Sequence, residues 1–205
     1  MDLPEFFFKL HATVHASDVY PGRGPTVERW LGGLSEEQMR ARPGKGLNSI
    51  LWLLWHTART EDAAVNLVVH AGTQVLDEGW VRRMRYDRRD IGTGMTDDEV
   101  ASFTADADVA AVWAYRSAVA ARTRDVVRTL PPEAWDQTVG AEDITRAARA
   151  GAFRADVSSL VAAGKHPWQG HTRADQLGSS AIRHNSGHIG EAVTIRGLAG
   201  FGVGI

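Results

Sequence analysis

Apolar residues recur at a helical spacing along most of this 205-residue chain, and no stretch shows the sustained apolar–polar alternation that is typical of strands. Proline and glycine clusters divide the pattern into four principal helices, predicted over about residues 4–18, 48–70, 96–130 and 173–198. A long excursion, residues 133–172, precedes the last helix. The sequence therefore predicts one all-α domain over residues 1–205, a four-helix bundle with an elaborated connection before its last helix.

Local signals mark where several helices begin. Ser35 with Gln38, and Thr96 with Glu99, match the capping-box pattern, in which two side chains satisfy the free N–H groups of a helix start. Asn48 is the predicted N-cap of the second principal helix. The helix that begins at Thr96 is expected to be the longest in the chain.

Two stretches are harder to place. Thr26 is the predicted cap of a short helical stretch that ends near Gly33. Inside the excursion, Asp143 or Thr145 is expected to start a helix that runs to about Ala163. The connection over residues 133–172 is thus interpreted as an insertion that can shape a pocket.

Composition excludes several classes of function. The formal net charge is −2, so nothing favours binding to nucleic acid or to an anionic membrane. No apolar run approaches the ~20 residues that span a bilayer, and no signal peptide is recognisable, so a cytoplasmic location is expected. The chain has no cysteine, which excludes thiolate ligands, disulfides and a cysteine nucleophile. Any sulfur chemistry would need a thiol supplied as a small molecule.

Three histidines form a candidate metal site. His184 and His188 are four residues apart on the predicted last helix, so both imidazoles can reach one ion from the same face. They continue an apolar stripe, and two inward histidines without partners are uncommon. His56 lies in an apolar run on another predicted helix. The three together predict an ion held between two helices, with coordination positions left open for water or substrate.

The other histidines carry weaker signals. His11 and His15 are also four residues apart, but they lack a deep apolar context and are interpreted as surface residues. His166 and His171 flank a proline and a glycine in a predicted loop, where they can line a pocket. His70 lies at the end of its helix, where an imidazole interacts favourably with the helix dipole.

The ordered histidines belong to a longer pattern, Asn48-Ser49-Ile50-x5-His56-x4-Glu61, followed by His184-x3-His188-x-Gly190-Glu191-x4-Arg196-Gly197. This pattern resembles the DinB-like superfamily, which includes bacillithiol-dependent and mycothiol-dependent transferases and the mycothiol-dependent maleylpyruvate isomerase. The resemblance implies a four-helix bundle in which His56, His184 and His188 bind a divalent ion. Zinc is the expected ion, with nickel, iron(II) and manganese as alternatives.

Carboxylates and a further histidine near the triad suggest roles beside the ion. Glu191 can either orient the His188 imidazole or pair with Arg196 on the surface. Glu61 lies about 140° around the helix from His56, too far to share its ion on a regular helix. Glu191 or His171 is the predicted general base if water is the nucleophile.

Three functions remain open at the level of sequence. The first is a metal-dependent transferase or isomerase that uses a low-molecular-weight thiol of the mycothiol type. The second is a metal-dependent hydrolase or lyase that uses metal-bound hydroxide. The third is a non-catalytic metal-binding stress or accessory protein. A small-molecule substrate is expected, with the chain acting alone or as a homodimer.

The substrate cavity is expected to open beside the triad. Its predicted walls are the helix of Trp52 and Trp55, the helix of Trp113 and Tyr115, and part of residues 133–172. Five arginines between residues 82 and 89 are interpreted mainly as a solvated, partly self-neutralised connection, with a basic rim for an anionic ligand as the alternative.

Overall fold

The computed structural model describes residues 2–21 and 27–202, and the described chain is α-helical, with one isolated antiparallel bridge between Thr138 and Thr172. The predicted all-α fold is confirmed. The predicted cap Thr26 lies outside the described residues. The α-helices are α1 (Leu3–His11), α2 (Val27–Leu31), α3 (Glu36–Arg40), α4 (Ile50–Asp62), α5 (Glu78–Met84), α6 (Asp97–Asp106), α7 (Val109–Thr129), α8 (Ala141–Arg149), α9 (Ser158–Ala162), α10 (Arg173–Leu177) and α11 (His184–Leu198).

Helix α4 is the centre of the packing. Every residue of α4 is buried, and it packs against α7 and α11. Helix α1 packs against α7 and against the π-helical turn that precedes α11, while α8 packs against the π-helical segment that follows α4. A helix that is surrounded in this way buries its polar residues together with its apolar ones, so its histidine and acidic side chains need partners inside the protein.

Two π-helical segments extend the central helices. Ala63–Val69 continues α4, and Gly178–Arg183 joins α10 to α11. A π-helical turn widens the helix and shifts the face on which later side chains lie, and such turns are often found at functional sites. The second segment ends directly before His184, so it sets the direction in which the side chains of His184 and His188 point.

The capping predictions are mostly confirmed. The Ser35–Gln38 and Thr96–Glu99 boxes both form, with the N-cap hydroxyls accepting from the backbone N–H groups at 3.2 and 3.3 Å. Asn48 is not the N-cap of α4. Ser49 takes that place and accepts from the backbone N–H of Trp52 at 3.1 Å, because the helix begins one residue later than predicted.

Three predicted helices are shorter than expected. The first ends at His11 rather than near residue 18, and turns carry the chain through residues 12–21. The predicted helix over residues 96–130 is two helices, because Ala107 is extended and Asp108 caps a new start. The helix predicted to reach Ala163 is divided into α8 and α9. Two of these breaks have local causes, since Asp108 caps α7 and Gly151, with φ at +79°, follows the end of α8.

No described helix combines the length and the apolar character that crossing a bilayer requires.

Candidate metal centre and its cavity

The three predicted ligands converge. His56 comes from α4, and His184 and His188 come from the first turns of α11. One ring nitrogen of each histidine lies within 4.8 Å of the others, and the three ring centroids are 4.6–5.1 Å apart. This clustering is the arrangement in which three imidazoles can bind one ion and leave further positions open.

Neighbouring groups fix the orientation of two of these rings. The Nδ1 atom of His56 donates to the backbone carbonyl of Ile91, and Trp52 stacks on the ring at a centroid distance of 4.6 Å. The Nδ1 atom of His188 donates to Glu191 at 2.8 Å. In both rings Nδ1 carries the proton, so Nε2 is the nitrogen with a lone pair available to an ion.

The chain around Ile91 is shaped for this contact. Gly92, with φ at +84°, lies against the indoles of α4, and a Cβ atom there would come within 2.6 Å of Trp55. Only glycine combines this backbone conformation with so close an approach. Gly92 therefore allows the carbonyl of Ile91 to reach His56.

The protonation states of the triad suit a metal site. Burial lowers the pKa of His56 to about 4 and that of His184 to about 3, so both imidazoles are neutral at pH 7. The Nδ1 atom of His184 is buried and has no hydrogen-bond partner among the described residues. Buried polar atoms without partners are rare, and a bound ion would satisfy this cluster. The residues present thus fit a divalent ion.

Glu191 lies beside the triad and contacts His188, which is the first of its two predicted roles. Besides accepting from His188, it accepts from the side-chain amide of Asn48 at 3.1 Å. Arg196 does not pair with it, but donates to backbone carbonyls, including that of Trp30 at 2.7 Å. The carboxylate therefore orients an imidazole, as carboxylates near metal-binding histidines often do.

A cavity of about 630 Å³ opens next to the triad, and both His56 and His184 contribute to its wall. Residues of the excursion supply much of the rest, as predicted. The loop that contains Ile91 is a further wall, which the sequence did not indicate.

The predicted contribution of the Trp113 and Tyr115 helix to this cavity is wrong. Tyr115 is fully buried and donates to Asp62 at 2.6 Å, while the Trp113 indole lies against Met39. Helix α4 does line the cavity, as predicted, through His56 and Thr60, although the indoles of Trp52 and Trp55 do not. They support it from behind, through the stacking of Trp52 on His56. Large aromatic side chains at helical spacing fill the core here.

His166 and His171 line the cavity, as expected from their loop position. The Nδ1 atom of His171 is 3.1 Å from the Oε1 atom of Gln176, whose amide nitrogen donates to Ser180 at 2.7 Å. That second bond fixes the amide, so Oε1 accepts and His171 donates through Nδ1. The Nε2 atom of His171 then carries the lone pair and can accept a proton.

The arginines between residues 82 and 89 lie apart from this cavity and are largely paired with their neighbours. Arg88 pairs with Asp90 at 2.9 Å, Arg89 pairs with Glu78, and Arg83 stacks on an indole. The interpretation as a self-neutralised connection fits these contacts.

The sequence model that defines the DinB superfamily matches residues 25–192 of the chain. The chain belongs to the DinB superfamily. The resemblance seen in the ordered histidines is thereby confirmed. The structure is also similar to that of a conserved protein from Enterococcus faecalis, with a TM-score of 0.64 and 19% sequence identity over 98% of this chain and 96% of that one. That likeness shows a shared fold. A comparison with curated proteins finds no match.

This DinB protein holds a second polar cluster, and here the sequence interpretation was wrong. His11 and His15 are fully buried, not at the surface. Their Nε2 atoms lie 2.9 and 3.0 Å from the two oxygens of Glu61, another fully buried residue of α4. Turns follow α1, and His15 lies beside His11 with a ring-centroid distance of 4.1 Å. We call these three residues the Glu61 cluster.

Glu61 is saturated with hydrogen-bond donors. In addition to the two imidazoles, Thr123 donates to one carboxylate oxygen at 2.7 Å and Asn185 donates to the other at 3.0 Å. Burial alone would raise the pKa of Glu61, but His15 and His11 outweigh it and hold that pKa well below its usual range.

The charge of Glu61 is also balanced from within the protein. Arg116 is buried nearby and donates to the side-chain oxygen of Asn185 at 2.7 Å. A dication added here would leave a large net positive charge in a closed interior, which is costly. The ligand atoms of the Glu61 cluster also lie within 4.8 Å of one another, but this balance of charge favours a hydrogen-bonded clasp that joins α1, α4, α7 and α11 over a second metal centre.

Lowering the pH is expected to destabilise the protein partly through His15. Burial lowers the pKa of this imidazole from 6.5 to about 3, so the folded state keeps it neutral while an unfolded chain takes up a proton below about pH 6.5. The contribution to stability is full above that pH and is lost progressively toward pH 3. Urea unfolding at a series of pH values should show a shallower pH dependence in His15→Gln. An unchanged slope would contradict this role.

Proposed function

We propose that this DinB-superfamily protein is a divalent-metal-dependent transferase or isomerase that uses a low-molecular-weight thiol of the mycothiol type. His56, His184 and His188 are the proposed ligands. One observation carries the proposal. The three imidazoles converge, two of them (His56 and His184) lie on the wall of a cavity that is large enough for a small molecule, and no aspartate or glutamate is among the described residues that line it.

The donor set explains why a thiol is favoured. Neutral imidazoles leave the charge of a divalent ion uncompensated, so a bound ion would supply the Lewis acidity that lowers the pKa of a thiol or a water molecule. The chain contains no cysteine, so the sulfur must come from a small molecule. Zinc is the proposed ion because it combines readily with both imidazole and thiolate ligands.

The chain's own residues have distinct proposed roles. Glu191 holds the ring of His188 in place and adds one negative charge beside the triad. Ile91 fixes His56 in the same way through its carbonyl. His171 lines the cavity with an available Nε2 lone pair, so it can accept the proton that a thiol or a substrate releases.

The same histidine supports a second candidate function. If water is the nucleophile, His171 can take its proton, and the protein would be a metal-dependent hydrolase or lyase. Glu191 is a poorer base, since its two oxygens are engaged by His188 and Asn48. A purely structural metal-binding role receives less support, because a structural site is usually closed by four protein ligands and this triad opens into a cavity.

The test is conjugation of a thiol to an electrophile. The zinc-loaded protein is incubated with a haloarene or an epoxide and a panel of low-molecular-weight thiols that includes mycothiol. We expect product above the uncatalysed rate, falling to that rate in His188→Ala. The matched control is His70→Ala, because His70 is exposed and does not line the cavity.

Two results would overturn the thiol assignment. One is conjugation that persists in His188→Ala at the rate of the unmodified protein. The other is activity toward esters or amides without any thiol, lost in His171→Ala, which would establish the hydrolytic function instead.

A further inference from the structure

The charge of the cavity restricts what can enter it. Among the described residues of its wall, the ionisable side chains are histidines and two arginines, Arg154 and Arg183. No carboxylate is among the described residues of the wall itself. A cavity with this lining repels organic cations and favours anions, and a divalent ion at the triad would strengthen that preference.

The two arginines are not equivalent. Arg154 donates to Glu99 at 2.7 Å and to the carbonyl of Gly94 at 2.9 Å, so its charge is already compensated. Arg183 is exposed, and its side chain makes neither a hydrogen bond nor an ion pair to any residue in the described part of the chain. It ends the π-helical segment that leads into His184. Arg183 therefore lies one residue from a proposed metal ligand, on the same cavity wall, and its guanidinium is available to a ligand.

The excursion supplies the apolar part of the cavity wall. Phe153, His166 and Trp168 pack ring against ring, with centroids 4.9–5.8 Å apart, and all three line the cavity. Leu160, which is 43% exposed, lies on the same wall. An exposed leucine beside an aromatic cluster in a concave site is an apolar surface suited to a ligand's hydrocarbon body.

We propose that this cavity binds a small organic monocarboxylate, with its carboxylate on Arg183 and its apolar, ring-sized body against Phe153, Leu160 and Trp168. Guanidinium and carboxylate form two parallel hydrogen bonds, which fix the orientation of the ligand as well as its position. The carboxylate then anchors the molecule beside His184. This assignment deepens the proposed function by naming its substrate class, and it rests on that function only for the reaction.

Binding of a matched pair of probes tests the assignment. The probes are 1-naphthylacetate and its uncharged amide, which share the ring and differ in the charge that Arg183 would recognise. Isothermal titration calorimetry is carried out on the protein as purified, with the metal content of each sample measured alongside. We expect the carboxylate to bind about tenfold more tightly than the amide. This preference should be lost in Arg183→Gln, partly kept in Arg183→Lys, and unchanged in Arg149→Gln, an exposed arginine outside the cavity wall.

The outcomes separate this inference from the proposed function. A carboxylate preference that survives in Arg183→Gln would assign the anion to the metal ion or to Arg154 and overturn the role of Arg183. Absence of binding by both probes would overturn the substrate class. If the protein contains no metal but its carboxylate preference still depends on Arg183, the metal-dependent function fails and the binding site stands.

Discussion

Replacing Glu61 with alanine is expected to lower the free energy of unfolding by about 3–5 kcal/mol, the range typical of removing one partner from a buried charged pair. The substitution removes the acceptor of four hydrogen bonds, from His11, His15, Thr123 and Asn185. It also leaves the buried guanidinium of Arg116 without its compensating charge. Buried donors that lose their acceptor pay their full desolvation cost. Urea unfolding monitored by circular dichroism measures the change.

The matched control is Glu133→Ala, which removes an exposed glutamate and should change the free energy of unfolding by no more than about 0.5 kcal/mol. Glu61→Gln keeps the volume of the side chain but brings an amide group toward imidazole donors, so it should also destabilise, by less than alanine. A loss below about 1 kcal/mol in Glu61→Ala would contradict the role of the Glu61 cluster as a clasp.

Replacing His184 with alanine is expected to reduce bound metal from about one ion per chain to well below one. Loss of a group that only orients a ligand typically lowers metal affinity by roughly 10- to 100-fold. Loss of one of three ligands should lower the affinity by more than that. Plasma mass spectrometry of protein purified without chelator gives the stoichiometry. Competition with a chromophoric chelator gives the affinity.

Two further variants sharpen this measurement. Glu191→Gln should weaken binding by about 10- to 100-fold, since it orients His188 without being a proposed ligand. His70→Ala should leave both quantities unchanged. An undiminished stoichiometry in His184→Ala would exclude the proposed centre. If that metal were then lost in His11→Ala, the ion would belong to the Glu61 cluster, and the interpretation of that cluster as a metal-free clasp would be wrong.

The sequence by itself determined the helical class, the superfamily and the three histidines of the candidate centre. Helical spacing places His184 and His188 on one face whatever surrounds them, because residues four apart are always neighbours on a helix. The capping boxes at Ser35 and Thr96 were equally readable, since they depend on side chains only three residues apart. Both features depend only on residues three or four positions apart, so they can be predicted from the sequence without knowing how the helices pack.

Only the tertiary structure showed that the second histidine pair, His11 and His15, is buried. His11 and His15 were interpreted as exposed because the residues around them lack a strong apolar context. Their partner, Glu61, lies 46 to 50 positions away in sequence, and no local pattern reports a contact at that distance. The elements that pack against α1, namely α7 and the π-helical segment before α11, also come much later in the chain.

The cavity follows the same rule. Trp113 and Tyr115 were expected to lie on the cavity wall, yet the Trp113 indole contacts Met39 and Tyr115 donates to Asp62 in the core. The wall is formed instead by the excursion and by the loop at Ile91, brought together through side-chain packing that sequence spacing does not encode. Which residues are helical is a short-range property, whereas which residues face an empty space depends on how all the helices pack.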